Sequence, residues 1–282
     1  MPEEADDARV DLCFDDSTLK NDPVLAKHRV SVPAFEVPPD APAEALRLAR
    51  EVWEDRVRSE YIGVMVTRRF HGLLVDLNAP LDLQEVALAL VLQEQRHTSL
   101  CVAAARALGS EVVLAFDLEE LRQGRSASTL EALRDETLRM VAATFAVGEV
   151  AALALLEAEL KAVPPGGFRD ALALVARDEV LHARIGPLLL AAARRGETAD
   201  WLPWPGDAAV RGWVHGQIEA MRARDVVETE HLTAAANPEV AAWLPRLGVR
   251  PPADFRATYD DALDDAVPRS FQRFGLDMLV AR

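Results

Sequence analysis

The stretch VLQEQRHTSL, residues 91–100, lies in an apolar run yet carries Glu94, Arg96 and His97. A helix buries a stripe that advances by three or four residues, so membership of the hidden face can be counted. Leu83, Ala87, Leu90, Glu94, His97 and Cys101 keep that step without a break. Glu94 and His97 are therefore expected to point inward among apolar side chains. The same count runs through DEVLH, residues 178–182, on the face made by Leu172, Val175, Glu179, His182, Gly186 and Leu189. Trp53, Val57, Glu60 and Val64 bring Glu60 to an apolar face. Leu138, Ala142, Phe145, Glu149, Ala152 and Leu156 do so for Glu149. Four predicted helices each bury acid.

An unpaired buried carboxylate is costly, and four around one core repel one another. Lys and Arg are absent from these stripes, so the compensating charge is expected to be metal. Glu60, Glu94, His97, Glu149, Glu179 and His182 supply enough donors for two ions sharing bridging carboxylates. That set suits iron or manganese better than a closed structural zinc. Cys13 and Cys101 are the only cysteines, which excludes a thiolate zinc cluster or a rubredoxin-type iron centre and gives no reason to expect a structural disulfide. A third Glu-x-x-His, Glu228 with His231 in VVETEH, has no partner hairpin and is read as solvated.

The chain has 282 residues, 50% apolar and 6% aromatic, with long segments free of Gly and Pro. An all-α fold follows. Residues 1–42 hold NDP, SVPAF and VPPDAP and are read as an irregular arm. Helices are expected over 43–76 and 81–108, paired across NAP at 78–80. Residues 109–127 form a long crossover. A third helix starts near Ser128, which has capping-box spacing to Glu131, and stops at VPPGGF, 163–168. A fourth runs to about Arg195, with Pro187 expected to kink it. The four-helix bundle thus covers 43–195 as hairpin, crossover, hairpin. Residues 196–282 are expected to be a C-terminal extension packed on it, with a long helix over about 207–235 and shorter pieces around NPEV and RPPADF.

The formal charge is −15 and no Lys/Arg run offers a phosphate-tracking stripe, so no nucleic-acid partner is expected. MPEEADDARV is not a secretory signal, and no window is expected to reach the roughly 18 apolar residues of a membrane span. A cytoplasmic protein without a membrane partner is the expectation.

Glu60, Glu94 with His97, Glu149, and Glu179 with His182 resemble, in order, the signature of the ferritin-like superfamily of di-iron carboxylate proteins. The resemblance covers about residues 43–195. Asp178-Glu179 and Arg96-His97 also look like halves of the Asp-Glu-x-Arg-His motif of bacterial di-iron monooxygenases, with Gln93 in place of the first Asp and Leu181 in place of the second Arg. The resemblance implies two Fe ions per chain, with Mn or a mixed Mn/Fe pair allowed, and O2 as co-substrate. Storage ferritins are shorter, and rubrerythrin-like peroxidases carry a cysteine-bound iron domain that this chain lacks. A radical-generating subunit needs a tyrosine near the site, but Tyr61 steps off the Glu60 stripe and Tyr259 is remote. A di-iron oxidase or oxygenase acting on a small organic substrate remains, fed by an external reductase or ferredoxin and allowed to form a homodimer. The alternatives are a ferroxidase or iron-storage protein, and a helical scaffold with structural metals. Thr144, Phe145, Thr98 and Met65 are candidate cavity residues. A metal-bound imidazole normally gives its second N–H to a fixed acceptor. Asp178 is placed to serve His97 in this way, and Gln93 to serve His182.

Overall fold

The computed structural model describes residues 23–24, 27, 30–111, 129–224 and 235–281, with backbone alone at 8–10, 114–116 and Ala253. The fold is all-α apart from one small ribbon. Strand β1 (Ala8–Val10) pairs antiparallel with β2 (Leu114–Phe116), Arg9 opposite Ala115. The arm was expected to be irregular throughout. Pairing of two segments a hundred residues apart leaves no local signature in either.

Helices α1 (Ala43–Asp76) and α2 (Leu81–Ala107) are joined by four residues and pack side by side, so they run antiparallel. Asn78 turns the chain at φ 52°, a left-handed conformation that Asn tolerates, and Pro80 leads into α2. Helix α3 (Leu130–Ala162) is capped by Thr129, whose hydroxyl oxygen accepts the Ala132 N–H at 3.2 Å. Ser128 lies outside the described residues, and the cap is Thr129, with Glu131 in the first turn. Over Val141–Gly148 α3 winds as a π-helix. It is also long and apolar enough to cross a membrane by length and composition, with mean hydropathy 1.7 in an 18-residue window, which corrects the expectation that no window reaches that length. Here it is a bundle helix bearing Glu149 and Glu159. Helix α4 (Gly167–Arg194) continues through Pro187.

Contacts join α1 to α2, α2 to α4, α4 to α3 and α3 to α1, a closed ring of four. Around it, α5 (Asp207–Arg222) packs on the π segment of α3. Helix α6 (Pro238–Trp243) and the 3-10 turn Leu244–Leu247 pack on α1. There Trp53 Nε1 donates to the Leu247 carbonyl at 2.9 Å, and Gly248 takes φ 74° where a Cβ would strike Trp53 and Phe168. Helices α7 (Pro252–Asp261) and α8 (Val267–Arg273), linked by a π turn at Ala262–Ala266, cover the C-terminal half of α3. The helix expected over 207–235 is seen to Arg222; residues 225–234 lie outside the described residues. The arm crosses the start of α4, its Phe35 ring 5.1 Å from that of Phe168.

The apolar core is two clusters. One gathers Phe70, Leu74, Ala87, Leu90, Phe145, Leu189 and the C-terminal helices. The other gathers Leu48, Trp53, Val57, Leu100, Leu172 and Val175. On α2 and α4 the residues that separate them are Glu94 with His97, and Glu179 with His182; on α1 Glu60 lies beside them, with Met65 of the second cluster beyond it.

Candidate metal centre

Residues three apart on a helix share a face, so α2 presents Glu94 and His97 together and α4 presents Glu179 and His182 together. The two pairs meet across the bundle. His97 Nδ1 lies 3.2 Å from Glu60 Oε2, 3.2 Å from Glu179 Oε1 and 4.0 Å from Glu94 Oε2. His182 Nδ1 lies 3.0 Å from Glu94 Oε1 and 3.4 Å from Glu179 Oε2. Glu60, Glu94 and His97 form one group able to hold a cation, and Glu94, Glu179 and His182 form another. Glu94 belongs to both, and Glu179 turns one oxygen to each imidazole. Glu149 enters from α3 in hydrogen-bonding contact with Glu179. The structure therefore brings together all six residues singled out in the sequence.

Each imidazole is held by its other nitrogen. His97 Nε2 donates to Asp178 Oδ2 at 3.3 Å, and His182 Nε2 donates to Gln93 Oε1 at 3.0 Å. Asp178 is itself clamped by Arg96 and by Arg177 Nε at 3.2 Å, and it is 6% exposed. That leaves His97 Nδ1, His182 Nδ1 and Glu179 Oε2 buried without a hydrogen-bond partner. Such orphaned atoms are costly in a core unless something fills the space between them. Around an octahedral ion with bonds near 2.1 Å, adjacent donor atoms stand about 3.0 Å apart. Four of the five separations, 3.0–3.4 Å, lie near that spacing, and the fifth, His97 Nδ1 to Glu94 Oε2, is wider at 4.0 Å. The donor set fits a cation.

Without one, protons take its place. Burial, with the charges of Glu60 and Glu179, pushes the Glu94 carboxyl well above its usual range. Burial, Glu179 and Glu94 do the same to Glu149. Burial pulls His97 down, but the Glu179 and Glu60 carboxylates outweigh it and raise the imidazole to about 11. Glu179 is lowered: both histidines overcome its burial.

Two contributors escape the sequence reading. Gly63, one turn after Glu60, leaves the room that the Glu94 carboxylate occupies; a Cβ there would lie 2.2 Å from Glu94 Oε2. Its one signal is a glycine in the middle of a 34-residue helix. Arg177 is the other, visible only as the neighbour of Asp178. The chain matches no protein-family model, and no curated protein or solved structure is significantly similar to it.

The candidate cavity residues lie as follows. Phe145 stacks on Phe70 at 4.7 Å, Met65 is buried in the core, and the buried Thr98 hydroxyl donates to the Glu94 carbonyl. Thr144 is half-buried. Glu228 and His231 lie outside the described residues, as does Cys13, and Cys101 is a free, buried thiol one turn beyond His97.

Proposed function

We propose that this chain is a di-metal carboxylate oxidase or oxygenase of the ferritin-like superfamily, holding two iron ions, or manganese or a mixed pair, and using O2 to oxidise a small organic substrate. The observation that carries this reading is the shared Glu94 between two Glu–His groups whose Nδ1 atoms are both buried without a hydrogen-bond partner. The closed ring of α1, α2, α4 and α3, with a hairpin at each end of a long connection, supports the superfamily assignment.

In this reading Glu60, Glu94 and His97 on one side and Glu94, Glu179 and His182 on the other would hold the two ions, with Glu149 beside Glu179. The bound pair would supply the electron transfer to O2. The chain's own residues prepare for it. The orphaned Nδ1 atoms are presented by imidazoles fixed through Nε2, so no side-chain reorganisation is needed. The four carboxylates, once ionised, balance the charge of two divalent ions. Asp178 makes its imidazole more electron-rich than Gln93 makes the other, so the two positions differ. The apolar clusters on either side bury Glu94, Glu179 and both imidazoles, while Glu60 stays partly exposed. Electrons come from a separate reductase or ferredoxin.

The reading is tested by loading the purified chain with Fe(II) anaerobically, counting metal per chain, then admitting O2 under optical and Mössbauer spectroscopy. Two ions per chain, oxidised together by O2, are expected, with binding lost in a Glu94→Ala, Glu179→Ala double variant. Metal that loads but ignores O2 leaves only a structural site, and no loading removes the centre altogether.

A further inference from the structure

We propose that the cleft between α3, α4 and α8 binds an organic carboxylate with an apolar body. The cleft has a volume of about 690 Å³. That lies within the range of small-molecule pockets.

Its charge is opposite to that of the molecule. The chain carries −15, yet Arg184 from α4 and Arg269 and Arg273 from α8 line this one cleft against a single acid, Glu157. Arg269 and Arg273 are four residues apart and so share a helix face. Arg269 is already paired with Asp265. Arg184 and Arg273 have no carboxylate partner among the described residues. The Arg184 guanidinium lies 5.7 Å from the Phe274 ring centroid, which holds it at the cleft wall. A guanidinium presents a planar fork of donors that matches a carboxylate.

The floor is apolar. Val150 and Ala154 come from α3, and Val180 from α4 stands 55% exposed to the cleft. An inorganic anion would leave that floor wet, and a neutral hydrocarbon would leave the two arginines unused. A molecule with a carboxylate head and an apolar body uses both. Val150 and Val180 directly follow Glu149 and Glu179 in the chain, so the cleft backs onto the α3–α4 side of the metal centre. The inference holds whether or not that centre takes up metal.

Isothermal titration of the full-length chain, metal-free and metal-loaded, with octanoate, acetate, inorganic phosphate and 1-octanol tests it. Octanoate is expected to bind saturably at one site per chain, and the other three at least about tenfold more weakly. Arg184→Gln with Arg273→Gln is expected to weaken octanoate by about tenfold or more. Val180→Glu, on an exposed position that tolerates polarity, is expected to abolish binding, with circular dichroism showing both variants folded. Octanoate affinity unchanged in either variant overturns the proposal, as does acetate or phosphate binding as tightly as octanoate. Octanol binding equally well makes the cleft an apolar groove and nothing more. Loss of O2 reactivity with octanoate binding intact counts against the proposed oxidase and leaves the cleft standing.

Discussion

His97 divides its work between its two nitrogens: Nε2 is fixed by Asp178 and Nδ1 faces Glu60 and Glu179. Asp178→Asn keeps the shape and a hydrogen-bond acceptor but removes the charge. It is expected to leave the fold and the metal count intact while slowing reaction with O2 about ten- to a hundredfold, measured by stopped flow. Gln93→Glu, opposite His182, is expected to have a smaller effect. An Asp178→Asn protein as fast as the parent removes the supporting role. Gly63→Ala separates stability from binding. Alanine favours an exposed helix by about 1 kcal/mol, yet its Cβ would force the Glu94 carboxylate out of its seat. Metal content is expected to fall while the metal-free protein keeps its helicity, read by elemental analysis and circular dichroism. The buried Glu and His cluster, with Asp178 and Gln93 against its imidazoles, was legible because burial follows a countable step and a hidden charge stands out against it. Gly63 was not, because the atom it makes room for is on another helix.

Helices α1 and α2 fall where Pro, Asn and the apolar stripe place them, since their signals are local. Helix α3 differs. Its stripe was expected to continue through Ala152 and Leu156, but both are half-buried, and Val150 and Ala151 are buried instead. The π turns over VAATFAVG shift the phase by adding residues per turn, and a run apolar on every side gives periodicity nothing to register. Across from it, α4 comes so near that a Cβ on Gly186 would lie 2.4 Å from the Ala146 nitrogen and the Phe145 carbonyl carbon. Those are backbone atoms with no means of turning aside. Gly186→Ala is therefore expected to cost about 1–3 kcal/mol in denaturant unfolding. It should also loosen metal binding, because Glu149 follows the π turns and Glu179 and His182 precede Gly186. A variant as stable as the parent removes the close approach as a constraint on the site.

For the whole molecule, acidity and helical composition were legible, but how the last third of the chain covers α1 and α3 was not, since its pieces are short and docked by distant partners such as Trp53 and Leu247. The metal-free chain should respond to pH in a definite direction. His97 is raised from 6.5 to about 11, so its contribution is full below pH 6.5 and is lost as pH climbs through about 11. Glu94 and Glu149, also raised, act in the same sense from a lower starting point; Glu179 opposes them only toward acid. The melting temperature of the metal-free protein is expected to fall between pH 6.5 and 9, and the rise on adding Mn(II) to grow over the same range. Loading near pH 7 should release protons, the one on His97 among them, seen with a pH indicator in weak buffer. Loading without proton release rules out the displaced protons. The polar layer between the two apolar clusters has one more consequence. A continuous core opens as one body, but here each end of the bundle holds its own set of contacts, with polar groups at the seam. Amide hydrogen exchange in the metal-free chain should therefore resolve two groups of protected amides, one around Phe70, Leu90 and Leu189 and one around Val57, Leu100 and Leu172, with separate opening free energies. A cation bound across the seam should merge them into one.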